Sequence, residues 1–290
     1  MFITRRSFIR TGLIFVPTVF SAGLHGAVRY GNMDPKVGDW IGRVRTAGGT
    51  ATGLSVVAND QFMKIATAGG LRSTLYRVNT YTGLDLTTCL VPLINTYGGT
   101  TDSNGFFVAG DYSESTGLTG DGSTNYLNTG LVMTSLPDVN SGSMCAYIRT
   151  NSQESKLTMG VGAGGSASAI GYLYIRDVGD LIKGVWFNEL GASTTGTDSR
   201  GLFQISRTAS NAIALYRNGS SIATDTGSAG SFTPTIDLYI HAWNNVLFGA
   251  RDYTARTLAG YGVNSGHTAT QALAYYNAWQ RLQTILGRQV

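Results

Sequence analysis

The sequence predicts a mainly β fold: two packed antiparallel sheets, with a small helical segment before them and one helix after. Three observations predict it. Between residues 143 and 241, seven short apolar runs are separated by turns of Gly, Ser, Thr and Asn. No helix-length segment lies between those runs, which argues against a parallel sheet built from strand–helix–strand units. Glycine is abundant (39 of 290 residues), tyrosine (15) outnumbers each other aromatic, and charged residues make up only 13%, a composition suited to short strands and tight turns. No internal repeat of about 20 to 50 residues is present, which sets aside propellers and solenoids.

The chain opens with a basic stretch to Arg10, a mostly apolar run from Gly12 to Phe20, and the small residues Ser21, Ala22 and Gly23. That order is a signal peptide's. The run is far shorter than the roughly 20 apolar residues of a membrane span and is interrupted by Pro17, and no later stretch is longer, so no stable membrane span is expected. Within it, Thr4-Arg5-Arg6-Ser7-Phe8-Ile9-Arg10 resembles the twin-arginine export motif. Residues 1–27 are accordingly assigned to an export signal, with Arg5 and Arg6 read by the twin-arginine export machinery. The mature chain is expected in the periplasm or outside the cell; cuts after Ser21, Gly23 and Ala27 all remain open.

Residues 33–100 read as a helical N-terminal segment. Val37, Trp40, Ile41 and Val44 recur at three- and four-residue steps behind Asp34-Pro35, a helix start. Leu54, Val57, Ala58, Phe62 and Ile65 form a second stripe, with Thr52 as N-cap and Gly69-Gly70 as the stop. The polar stretch 95–104 marks the boundary to a sandwich over residues 105–290. Its strands are predicted at 143–149, 156–161, 171–176, 184–190, 202–207, 212–216 and 236–241. Leu202, Gln204 and Ser206 should face away from Phe203, Ile205 and Arg207, and Ile236, Leu238 and Ile240 away from Tyr239 and His241. Asn218-Gly219 is a two-residue hairpin signal, because a type I′ turn needs positive φ at both positions. The chain ends in a helix: Thr268-x-x-Gln271 is a capping box, and Ala272, Tyr275, Tyr276, Trp279, Leu282 and Leu286 make one apolar face before Gly287.

Net charge is +4, but without Arg5, Arg6 and Arg10 the balance is 18 basic against 17 acidic residues. With no later Lys/Arg cluster, nothing offers a footprint for a phosphate backbone, and nucleic acid is excluded as a partner. Cys89 and Cys145 are too few for a disulfide framework and are expected as free buried thiols.

Three stretches taken together resemble the concanavalin A-like lectin/glucanase superfamily, in its laminin-G-like jelly-roll branch. They are the Gly120-Asp121-Gly122-Ser123 turn ahead of Tyr126, the pair Leu202 to Arg207 and Ile213 to Gly219, and the run from Ile236 to Ala242 followed by Phe248-Gly249 to Leu258. The resemblance covers roughly residues 105–290 and implies an antiparallel jelly-roll β-sandwich. That fold hosts glucanases, sugar-binding lectins and adhesion modules, so the site must choose among them.

Hydrolytic members set acids at two-residue steps on one strand face. Here Glu114, Glu154 and Glu189 lack such neighbours, and Asp177 with Asp180, or Asp111 with Glu114, are three apart and fall on opposite faces. No Gly-x-Ser-x-Gly elbow occurs; His241 is expected as a hydrogen-bonded structural residue and His267 as a neighbour of the last helix cap. The chain is therefore expected not to be an enzyme and to need no cofactor. Calcium is the one metal kept open, since the resemblance implies loop oxygens for it, here those of Asp121, Asn125 and Asp252. Sugar binding needs an aromatic face with amides nearby. Trp243 and Asn244, in a loop after a strand, are the first candidates and Trp186 with Asn188 the second; the alternative has Trp243 packing on the terminal helix. The function expected is an exported non-catalytic binding module for carbohydrate or a cell-surface ligand. The alternative is a structural or adhesion protein, a surface or phage-particle component, whose sandwich binds protein.

Overall fold

A computed structural model describes residues 32–162, 170–187, 191–227 and 234–290. Arg5, Arg6 and the whole 1–27 segment lie outside the described residues, as does Asn188.

The first helix, α1 (Pro35–Thr46), starts where Asp34 caps it, its carboxylate accepting from the Lys36 amide at 2.9 Å, and it buries Val37, Trp40 and Val44. The second, α2 (Gly53–Ala68), is capped by Thr52, whose hydroxyl accepts from the Ser55 amide at 2.9 Å. It ends at Gly69 with Gly70 at φ +71°, the left-handed position a glycine supplies at least cost. Its buried face differs from the stripe expected. Leu54 and Val57 are 46% and 52% exposed, while Val56, Asn59, Phe62 and Met63 are buried. The reason is a second partner: α2 packs on the C-terminal helix α4 (Ala269–Ile285) as well as on α1, and Phe62 meets Tyr275 and Trp279 edge-on at 6.0 and 5.4 Å.

Residues 33–100 do not form a helical unit of their own, and no domain boundary falls near residue 100. After α2 the chain enters the sheet as β1 (Leu75–Asn79), makes a short helix α3 (Leu86–Cys89), and returns as β2 (Ile94–Asn95) beside β1. One compact unit runs from Met33 to Val290. The remaining strands are β3 (Ser103–Gly105), β4 (Tyr112–Ser113), β5 (Gly117–Thr119), β6 (Tyr126–Val132), β7 (Gly142–Ile148), β8 (Leu157–Gly162), β9 (Ile170–Tyr174), β10 (Leu181–Trp186), β11 (Ala192–Thr195), β12 (Gly201–Ala209), β13 (Ala212–Arg217), β14 (Ser220–Asp225), β15 (Asp237–Ile240), β16 (Trp243–Asn245), β17 (Gly249–Arg251) and β18 (Thr257–Asn264). They form two sheets, β14-β13-β12-β7-β18-β1-β2 and β11-β10-β9-β8-β15-β6-β3, with β4–β5 joined to the first through β18 and β16–β17 to the second through β8. This is the antiparallel sandwich expected, with the C-terminal helix.

Alternation sorts the side chains of the first sheet into two cores. Met144, Ala146 and Ile148 of β7 and Phe203 and Ile205 of β12 fill the space between the sheets. Cys145, Tyr147 and Leu202 point the other way and pack under α1, α2 and α4. The layers are therefore helices, first sheet, second sheet. Both cysteines are buried free thiols, and burial pushes the Cys145 thiol up to about 12. Asn218 and Gly219 lie at φ +50° and +78° between β13 and β14, the turn the dipeptide predicts.

Strand β18, at the centre of the first sheet, is the largest element the apolar pattern missed, because it carries glycines where α4 comes close. A Cβ on Gly260 would lie 2.6 Å from the Trp279 ring, and one on Gly262 would lie 2.2 Å from the Tyr275 hydroxyl. Beside it a buried polar network ties β1 to the stretch after β2. Arg77 Nη2 meets Asp102 Oδ1 at 2.6 Å, Arg77 Nε donates to the Tyr261 hydroxyl at 2.8 Å, and Tyr261 donates to Asp102 at 2.7 Å. The chain end is anchored in the same way: buried Arg288 donates to the carbonyls of Thr80, Tyr81 and Ala259 at 2.6, 2.8 and 3.1 Å. Among the described residues no helix is long and apolar enough to cross a membrane.

Candidate functional site

The helices take up the outer side of the first sheet, so the outer side of the second sheet is where its alternating strands meet solvent. On β6, Leu127, Thr129 and Leu131 point inward while Tyr126 and Asn128 are half-buried on the outer face. On β15, Leu238 and Ile240 go in and Asp237 and Tyr239 out; on β9, Leu173 goes in and Tyr172 and Tyr174 out.

Register brings these side chains together. Gly160 of β8 lies opposite Tyr172 on one side and opposite both Tyr239 and Trp243 on the other. A Cβ on Gly160 would stand 3.1 Å from the Tyr172 Cβ and 3.4 Å from Trp243 Cδ1, so the two side chains close over the glycine, which lets them approach each other on the outer face. Tyr126 stacks on Tyr239 with centroids 4.6 Å apart and approaches Tyr253 at 6.3 Å. Tyr172 meets Tyr174 edge-on at 6.4 Å. The guanidinium of Arg251 lies 5.7 Å from the Trp243 ring and 5.4 Å from that of Phe248.

The polar groups on this face are held in place. Asn128 Nδ2 donates to Asp237 Oδ2 at 3.0 Å, and Arg251 Nε pairs with Asp252 Oδ2 at 3.2 Å. Burial, then Asp177 and Asp252, pushes the Tyr174 phenol up to about 12, so it remains a neutral hydroxyl. Half-exposed rings flanked by an amide, carboxylates and a guanidinium can hold a hydroxyl-bearing ring: apolar faces stack, and the polar groups take the hydroxyls.

Of the residues expected at a sugar site, only Trp243 lies here. It sits in β16, parallel to β8, rather than in a loop, and it packs beside Gly160 rather than on α4. Asn244 is turned in: it is buried and donates to the Asp237 carbonyl at 2.7 Å. Trp186 belongs to the core between the sheets, fully buried, with its indole N–H donating to the Val139 carbonyl at 3.0 Å and its ring against Gly142. β10 ends by turning that ring inward, which removes it from any ligand.

Among the loop groups expected to offer oxygens to calcium, the Asp121 and Asp252 carboxylates are engaged by the protein. The Asp121 carboxylate accepts from the amides of Ser123, Thr124 and Asn125 at 2.8–2.9 Å and from the Ser123 and Thr124 hydroxyls at 2.8 and 2.5 Å. Asn125 is buried and donates to Asp111 at 3.3 Å, and Asp252 pairs with Arg251. Among the described residues no group of three or more His, Cys, Asp and Glu is placed to hold a metal ion. His241 also departs from expectation. It is buried at φ +65°, both ring nitrogens lack a partner among the described residues, and its ring meets Phe107 edge-on at 5.2 Å. His267 does serve the helix junction, with Nδ1 2.9 Å from Gln204 and Nε2 3.0 Å from Thr74.

No family model and no curated protein matches the chain. Among solved structures it is similar to a Trypanosoma rangeli sialidase mutant displaying trans-sialidase activity, at 13% identity and a TM-score of 0.47, over 86% of this chain and 38% of that one. It is also similar to the binding domain of botulinum neurotoxin serotype D (11%, TM-score 0.46, 72% of this chain and 52% of that one). A third is the CBM40 of the Ruminococcus gnavus IT-sialidase (16%, TM-score 0.37, 54% and 95%). The chain thus spans less than two thirds of the sialidase and of the toxin domain, and at such values these likenesses carry no argument about a ligand.

Proposed function

We propose that the protein is an exported, non-catalytic carbohydrate-binding module whose site is the outer face of the second sheet. The observation that carries this reading is the row of half-exposed rings that register gathers on this face, Tyr126, Tyr239, Trp243 and Tyr172, beside the Asn128–Asp237 pair. Charge on the face is mixed, with Arg251 and Lys183, which lies opposite Tyr174 on β10, against Asp177, Asp237 and Asp252; this gives no cation-rich patch for an acidic glycan and favours a neutral one. A non-catalytic role is supported by the carboxylates being engaged structurally: Glu114 accepts from Thr52 and the Gly83 amide, Glu154 from Ser152, Thr254 and the Ala255 amide, and Asp180 pairs with Arg176. A second reading, a protein-binding surface, is favoured by the β16–β17 hairpin tip, where Val246, Leu247 and Phe248 are 48%, 66% and 67% exposed.

The test is a glycan-array screen of the mature chain beside Trp243→Ala and Tyr172→Ala. Binding of neutral glycans that falls at least about tenfold in both variants supports the site. Silence on every glycan, with an unaltered fold, would sink it in favour of the protein-binding reading. Export is checked in the same system: Arg5→Lys with Arg6→Lys should leave the precursor in the cytoplasm, and undiminished export would remove the twin-arginine assignment.

A further inference from the structure

A second cleft, of about 700 Å3, opens at the other side of the molecule, where the first sheet ends at β1 and β2 beside the starts of α1 and β1. Its apolar floor includes Met63 and Ile94, and one wall is the edge-on pair Tyr76 and Tyr97, with ring centroids 5.3 Å apart. Its polar lining is open to solvent, with Lys36, Ser73 and Thr96 exposed. The Lys36 ammonium and the hydroxyls of Ser73, Thr96 and Tyr97 all border the cleft, and none is hydrogen-bonded or ion-paired to another described residue. Side chains open to water around a cleft of this size are free to exchange that water for the polar groups of a ligand.

The sign of the ligand follows from the lining. Two cations, Lys36 and Arg72, border the cleft and no carboxylate does. Arg72 is held from behind by Asp34, which receives both of its Nη groups, yet 38% of its side chain stays exposed; Lys36 makes no close ion pair, and the same Asp34 charge reaches it only at longer range. The hydroxyls call for a hydroxyl-bearing partner, and the tyrosine wall and apolar floor for a compact ring. We infer that this cleft is a binding site for a small anionic sugar, one ring or two, carrying a carboxylate or a phosphate. It is independent of the glycan face on the second sheet.

The experiment is a calorimetric titration of the full chain with D-glucuronate, glucose 6-phosphate, glucose and inorganic phosphate. Saturable binding of at least one acid sugar is expected, with glucose and inorganic phosphate each at least about tenfold weaker. The tighter of the two acids tells carboxylate from phosphate. Lys36→Gln, an exposed position, should weaken that binding about tenfold without altering the circular dichroism, and added salt should weaken it in the wild type. Trp243→Ala should leave it unchanged, which separates this site from the glycan face. Failure of both acids to bind, equal binding of glucose or of inorganic phosphate, or an unchanged affinity in Lys36→Gln would overturn the inference.

Discussion

Two histidines are buried without charge. Burial pushes His241 down to about 3 and His267 down to about 4, from the ordinary value of 6.5. The unfolded chain therefore binds protons at a higher pH than the folded one, and stability rises with pH across that window. It should be fully present above about pH 6.5 and fall as pH drops toward 4, by about 2 kcal/mol or more from His241 between pH 6.5 and 4.5. Urea midpoints at a series of pH values measure this, with His241→Asn as the partner variant because asparagine tolerates positive φ. The variant should flatten the acid limb; the same slope in both proteins would mean that His241 is not responsible. The residue scale also explains the misplaced tryptophan. Trp186 and Trp243 each follow an apolar run with an asparagine nearby, and nothing local tells which ring turns inward; the close approach of Gly142 to Trp186 does.

At the scale of elements, caps and turns were readable because their physics is local. Thr268 and Gln271 cap α4 reciprocally, and Asn218-Gly219 turns with φ positive at both positions. Gly219 carries a second constraint that the dipeptide does not reveal: its missing Cβ would lie 2.9 Å from Leu273 Cα on α4. Gly219→Ala should thus cost more than the roughly 1 kcal/mol of backbone strain alone, read as a lowered urea midpoint with an unchanged slope. A loss no larger than that of Gly249→Ala, also at positive φ but with open space around it, would show that the helix contact contributes nothing. Alternation in β6 and β9 marks the tyrosines of the candidate face as outward, but nothing local marks them as neighbours of one another. Tyr126, Tyr172 and Tyr239 come from three strands far apart in the chain.

For the whole molecule, the helical layer and both sheets form one unit, held in part by the buried ion pair between Arg77 and Asp102, whose side chains have no exposed surface. Removing one partner of such a pair leaves an uncompensated buried charge. Asp102→Asn should therefore lose about 3 to 5 kcal/mol. Because β1 is interior to the first sheet, the loss should appear as a lowered single calorimetric transition. Two separate transitions, one for residues 33–100 and one for the rest, would restore the domain boundary that the polar stretch 95–104 suggested.

The sequence by itself determined the fold class, six strands of the sandwich, the starts of α1, α2 and α4 and the Asn-Gly hairpin, since each rests on period, cap or turn chemistry within a few residues. The strand expected at 184–190 is β10, which begins three residues earlier and ends at Trp186, and the free thiols followed from the cysteine count. Only the tertiary structure decided that residues 75–95 complete the sheet, that β18 is a central strand despite its glycines, and that Trp243 faces Tyr172 across Gly160 while Trp186 does not. Those outcomes depend on which distant segments pair and how closely α4 approaches the sheet. Such contacts leave little mark on local periodicity, because the residues that permit close approach are the glycines that weaken the strand signal.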